Sequence, residues 1–370
     1  MRRLRDGSVA PDGLAPWEGD PPRRPGRLAG GLLTGVFVLV IVAAGLTFVP
    51  LPYVTLAPGP ATDVLGTVDG APVLSIEGAP TYPTDGSLDF TTVSFDGGPG
   101  RKVTVYELLG GWLSPDVDVV RESLYFPPDA TAEQVESENT AMMEESQVVA
   151  AATALRALGQ EVSTRVVVAQ VVPDGPSDGT LEAGDEIVAV DGTEVSTGDD
   201  VRGLVAPVAP GTTLPITVRR DGAERTLDVT TADNDGSSLI GVLLGLGYDL
   251  PITVTLNTGR VGGPSAGLMF SLAIYDALTP GSLTGGQRIA GTGEIEDDGS
   301  VGPISGLPQK MVGAREAGAS WFLAPADECE ATVGRVPEGM TVLSVSTFDE
   351  ARTAVEGIAS GDTDGLPRCS

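Results

Sequence analysis

The residues with the most to offer chemically are Ser265 and Lys310. Ser265 lies in "GRVGGPSAGLMF", residues 259–270, between a glycine-rich turn and an apolar run. Histidine is absent from all 370 residues. That excludes Ser-His-Asp and Cys-His catalysis and the histidine-based zinc sites. Lysine occurs only twice, as Lys102 and Lys310, among 22 basic residues. A lysine kept in so arginine-rich a chain points to a task arginine cannot perform, the loss of its proton.

Both residues fall where elements must hold them. Leu268, Met269, Leu272, Tyr275 and Leu278 follow a helical spacing that Pro280 ends. Ser265 therefore sits where a strand and turn enter a helix. Backbone N–H groups of Gly262, Gly263, Ser265 and Ala266, with the helix dipole behind them, could hold an oxyanion there. Pro264 has no N–H to give. A serine at this point could equally be an N-cap, and on this stretch alone that is the simpler reading. Downstream, "RIAGTGEIEDDGSVGPISGLPQKMVGAREAGASWFLAP" reads as two strands joined by a "DDG" turn, a helix from about Leu307, and a strand. Lys310 falls in the first turn of that helix, where the dipole disfavours a cation. That field and burial both lower an amine's pKa, and a neutral lysine can take a proton from serine.

Taken together, "GPSAG", a lysine some 45 residues later, and the "GTGEI…G.V.PI.GL..K" pattern around it resemble the proteolytic domain of the Lon family over about residues 240–350. The resemblance implies Ser265 as nucleophile, Lys310 as general base and Thr292 as the residue holding the lysine amine. Two positions depart from it. Gly262 stands where many members carry an acid, and Ser305 replaces a glycine in "PISG". Lon proteins proper carry an ATPase, but no G-x-x-x-x-G-K-[ST] occurs in this chain. Lon-type domains often form rings, so a ring-like homo-oligomer is part of what the resemblance implies.

Residues 163–232, with "LEAGDEIVAVDGTEV" after Gly175-Pro176, resemble a bacterial PDZ domain. The resemblance implies peptide binding by strand addition, with the carboxylate loop near Ser163–Val166 and pairing along Val167–Gln170. Arg165, Val166, Val167 and Val168 are the expected peptide-binding residues. The glycine usual in that loop is missing, and Arg165 could supply the charge.

The remaining elements set the context. Residues 1–27 are polar and proline-rich with six arginines, as in a disordered tail. Leu28–Val49 holds 22 uncharged residues, long enough to span a bilayer. The arginines before it place the N-terminus in the cytoplasm and all that follows outside. Residues 50–162 read as a β-rich segment and then a helix, "TAEQVESENTAMMEESQVVAAATALRALG", with a Thr131/Gln134 capping box and Gly159 to end it. The formal charge of −29 argues against a nucleic-acid partner. Cys329 and Cys369, the only cysteines, are expected to pair in an extracytoplasmic compartment.

The sequence thus predicts an α+β multidomain chain. Its parts are a tail (1–27), a transmembrane helix (28–49), a β-rich segment with a helix (50–162), a PDZ-like domain (163–232), a Lon-type α/β proteolytic domain (233–357) and a C-terminal tail (358–370). The expected function is an ATP-independent serine endopeptidase with a Ser-Lys dyad, single-pass in the cell membrane. Its substrates would be extended or unfolded extracytoplasmic polypeptides. No metal or cofactor is expected. The alternative is a non-catalytic PDZ-bearing adaptor with an inactive Lon-type domain.

Overall fold

The computed structural model describes residues 27–68, 70–259 and 261–369, with side chains from Gly31 onward. The tail expected over 1–27 lies, but for Arg27, outside the described residues. The chain divides into two units. The first contains α1, Arg27–Leu46. Among the described residues no helix is long and apolar enough to cross a membrane.

The second unit, Pro52–Val103 and Glu107–Ser370, holds two large sheets. One is built from β1 (Tyr53–Asp63), β2 (Ser87–Asp96), β3 (Asp118–Arg121) and three strands from the far end of the chain. Between β3 and those strands come a long helix, α2 (Ala132–Ala157), and the PDZ-like module. The module consists of β4 (Ser163–Val171), β5 (Glu186–Val190), α3 (Gly198–Val205), β6 (Thr213–Arg220), β7 (Ala223–Thr230) and β8 (Val242–Asp249). Then follow β9 (Thr253–Leu256), α4 (Gly267–Leu278), β10 (Arg288–Gly291), β11 (Glu294–Ile295), β12 (Val301–Gly302) and α5 (Leu307–Glu316). The chain closes with β13 (Trp321–Pro325), β14 (Thr341–Val345) and α6 (Phe348–Ser360).

The first sheet runs β14-β13-β10-β2-β1-β3. β2, β10, β13 and β14 are parallel to their neighbours in this order, and β1 lies antiparallel to β2 and β3. This corrects the expected partition. The β-rich segment of 50–162 is no separate body, because half of the sheet that carries the site comes from it. Period-2 alternation reveals a strand but not its partner, and here the partners lie some 200 residues apart.

α4 is apolar on all sides and buried throughout Gly267–Ile274, as a helix at the centre of a core must be. α2 starts with the capping box read from the sequence, Thr131 with Gln134. It packs its small residues Ala150–Ala154 against the same core as α4. On the other face of the sheet α5 lies on β1 so closely that a Cβ at Gly313 would stand 2.2 Å from Gly59 O. Only glycine permits that approach. Cys329 and Cys369 form a disulfide, which ties the end of the chain to the turn after β13.

The PDZ-like sheet runs β7-β6-β5-β4-β8. Its two ends meet, since Ser163 of β4 is paired with Asp249 of β8. The module is therefore an insertion between α2 and β9, with entry and exit side by side.

Candidate active site

The turn before α4 is built to expose one hydroxyl. Gly263 adopts φ +86°, a conformation that favours glycine. α2 clamps the turn at two points. Asn139 O accepts the Gly263 N–H at 2.9 Å, and Ser146 Oγ donates to Pro264 O at 2.9 Å. The first residue of the helix proper is Gly267, and its N-cap is Ala266, with no side-chain cap bond. Ser265 is thus not the N-cap, and its hydroxyl is directed elsewhere.

That direction is Lys310. Lys310 Nζ stands 2.8 Å from Ser265 Oγ and 2.9 Å from Thr292 Oγ1. Thr292, fully buried just after β10, donates its own proton to Ser265 O at 2.9 Å. Its one hydrogen being committed, Thr292 Oγ1 can only accept an N–H from Lys310. That bond turns the remaining face of the amine toward Ser265 Oγ. The Gly293 N–H also donates to Ser265 O, at 2.9 Å. The serine backbone is therefore pinned from the strand side and its side chain from the helix side.

Lys310 is 3% exposed. Burial pulls its amine from 10.5 down to about 7, with Glu328 opposing the shift. Burial raises Glu328 itself, and Lys310 acts against that. Near neutrality the amine is therefore substantially unprotonated and able to accept a proton from Ser265.

Of the four residues expected to form an oxyanion cradle, Gly263 is removed by the structure, because its N–H is spent on Asn139 O. The amides of Gly262, Ser265 and Ala266 have no acceptor among the described residues. The last two precede α4, where the dipole favours a developing negative charge.

An open groove of about 1240 Å³ passes the Ser265–Lys310 pair, walled by Thr92, Val93 and Phe95 of β2 and by Asn139 and Met143 of α2. β10 pairs with β2 only over Ser87–Phe90. Beyond that, β2 is paired on the β1 side alone, and its free edge borders the groove.

The PDZ-like module corrects another expectation. β4 is paired on both sides, by β5 and along its whole length by β8. It has no edge to offer a peptide near Val167. Val166 and Val168 are buried in the module's core, and Arg165 is ion-paired with Asp249 and Glu186. The edge strands are β7 and β8, and β8, which takes the place beside β4, lies beyond the boundary drawn at 232. Sequence reasoning also missed Asn139 and Ser146, the two residues by which α2 braces the turn. Nothing in a helical heptad marks them out.

Residues 250–355, which hold Ser265, Thr292 and Lys310, match the family model of the Lon protease (S16) C-terminal proteolytic domain. Residues 138–231 match that of a PDZ domain. Family model and fold thus agree on a domain similar to the Lon proteolytic domain over residues 250–355, beside a PDZ-like module. Among individual proteins, Lon protease 1 of Bacillus subtilis is 37% identical over 106 residues, 28% of this chain and 13% of that protein. The Lon protease of Clostridioides difficile is 41% identical over 78 residues, 21% of this chain and 10% of its own. The chain thus spans a small fraction of the length of these relatives. A solved PDZ domain of an SdrC-like protein from Listeria monocytogenes is 26% identical, covering 22% of this chain and 86% of that one, at a TM-score of 0.21.

Proposed function

We propose that the protein is a serine endopeptidase working through a Ser265–Lys310 dyad, without ATP, on extended polypeptide. The observation that supports this best is the buried Lys310 amine, 2.8 Å from Ser265 Oγ. Ser265 Oγ attacks the peptide carbonyl as its proton passes to Lys310 Nζ. The tetrahedral oxyanion is held by the amides of Ser265 and Ala266. Lys310 returns the proton to the departing amine, and water releases the acyl group by the same route. Thr292 keeps the amine aimed and does no bond chemistry. The free edge of β2 suits an extended substrate strand, and a folded domain would not enter the groove.

The open edge of β8 is the place where the PDZ-like module would add a peptide strand. The uncharged run Leu28–Val49, with arginines before it, supports a membrane anchor that leaves the peptidase outside the cytoplasm. Cleavage of an unfolded protein by the full chain tests the catalytic reading. Ser265→Ala and Lys310→Arg are each expected to abolish it while the far-UV spectrum stays unchanged. Cleavage surviving in folded Lys310→Arg would refute a lysine base, since arginine stays charged.

A further inference from the structure

The turn before α4 gives up one donor to α2, since the Gly263 N–H is spent on Asn139 O at 2.9 Å. The residue that takes this donor carries another. Asn139 sits hard against the turn: a Cβ added at Gly262 would stand 2.8 Å from Asn139 Cβ. Only a residue without a Cβ at 262 leaves Asn139 its place. Asn139 and Ser265 line the same groove. Asn139 is half-buried, yet its side-chain amide makes no hydrogen bond among the described residues, and neither of its polar atoms is sealed from solvent. A free carboxamide therefore faces the groove beside the nucleophile's turn.

Its setting gives that carboxamide a task. The carboxylates of Glu136, Glu144 and Glu294 line the groove as well. They oppose any negative charge that develops at Ser265, and a neutral N–H donor held in place offsets this. Asn139 is held in place. It lies within α2, and its own carbonyl is bonded to the turn that carries Ser265. A donor fixed on a helix needs little rearrangement when the charge appears.

We infer that the Asn139 side-chain amide is a further catalytic group, whose Nδ2 donates a hydrogen bond to the oxyanion formed when Ser265 attacks, beside the amides of Ser265 and Ala266. The inference deepens the peptidase reading of Ser265 and rests on it. It places one catalytic residue on α2, outside the stretch 250–355 that matches the Lon proteolytic domain.

The test is steady-state cleavage of a peptide by the full chain at pH 9, where the Lys310 amine is unprotonated. Asn139→Ala keeps the backbone carbonyl that holds Gly263 and loses only the amide. Its kcat should fall on the order of 100-fold with KM little changed, as for loss of one oxyanion donor. Asn139→Asp keeps the shape but offers no N–H and adds a negative charge, so it should be slower still. A residue needed for its shape alone would give the reverse order. A peptide boronate, whose tetrahedral adduct on Ser265 resembles the intermediate, should lose affinity in Asn139→Ala by about the same factor as kcat/KM. Three results would each overturn the inference and leave the peptidase standing: a loss in kcat of less than about tenfold in Asn139→Ala, an aspartate variant faster than the alanine one, or an unchanged boronate affinity. If no peptide is cleaved in a Ser265-dependent manner, the peptidase reading falls and this inference with it.

Discussion

Replacing Lys310 by methionine should destroy activity and yet stabilise the protein, by an amount that depends on pH in a calculable way. The unfolded chain holds a proton on Lys310 up to about 10.5, and the folded chain releases it above about 7. Between these values the unfolded state binds more protons, so wild-type stability rises with pH by about 1.4 kcal/mol per unit. Below pH 7 both states are protonated and the penalty on the folded state is at its full size. Over the gap of roughly 3.5 units that penalty is about 5 kcal/mol. Methionine fills the same space without it. The variant gives up the polar contacts to Ser265 and Thr292, about 1 kcal/mol each. The net gain at pH 7 is therefore about 3 kcal/mol. It should shrink by about 1.4 kcal/mol for each pH unit above 7, as wild type gains stability and the variant does not. Urea unfolding of both proteins at pH 7, 8 and 9 measures the difference, in which all other titrating groups cancel to first order. A difference independent of pH would mean that Lys310 keeps an ordinary amine pKa, and the base mechanism would lose its footing. The same ionisation should appear in catalysis, as kcat/KM rising through an acid limb near pH 7.

Gly313→Ala should cost more in activity than in stability. Its Cβ would meet Gly59 O at 2.2 Å, so α5 must lift from β1 and carry Lys310 with it. A displacement on the order of 1 Å at a dyad costs roughly 100-fold in rate, against ~1–3 kcal/mol of overpacking; kcat/KM and urea unfolding on one sample read both. Replacing Cys329 and Cys369 by serine opens a link between residues 40 apart. Stability should fall by about 2–4 kcal/mol, measured by thermal unfolding with and without reductant.

The sequence made the chemistry legible before the architecture. A histidine-free chain with two lysines left few ways to activate a serine, and the glycine-rich entry to α4 marked where that serine sits. The distance between Ser265 and Lys310 was not legible. It depends on α5 lying on β1, and so on the tolerance at Gly313, which no local pattern reports. The sheet is illegible in the sequence for a similar reason. β2 reads as a strand from its residues, but its partner β10 lies beyond the inserted module, and a strand's own residues are silent about partners. The resemblance to PDZ domains puts the peptide edge on β4, and a module bounded at residue 232 leaves out the strand that covers it. β8, which covers β4, is an apolar strand that reads equally well as the start of the next domain. Gly263 reads as an oxyanion donor from the sequence because a bare glycine N–H looks free until α2 brings Asn139 O against it.

The pairing of Ser163 with Asp249 has a bearing on how the chain reaches its native state. α2 and β9 flank an insertion that runs from Ser163 to Asp249, and they must come together before the core around α4 can close. As a slack loop, an insertion of that length would cost about 2–3 kcal/mol more to close than a hinge of a few residues. The module's inner hairpin, β6 with β7, is short in sequence and can form early, and β4 and β8 then close beside it. Once formed, it holds its two ends in adjacent strands and delivers α2 and β9 to each other as near neighbours. In the folded chain the module thus acts as a splint, fixing the distance between α2 and β9 whatever it binds.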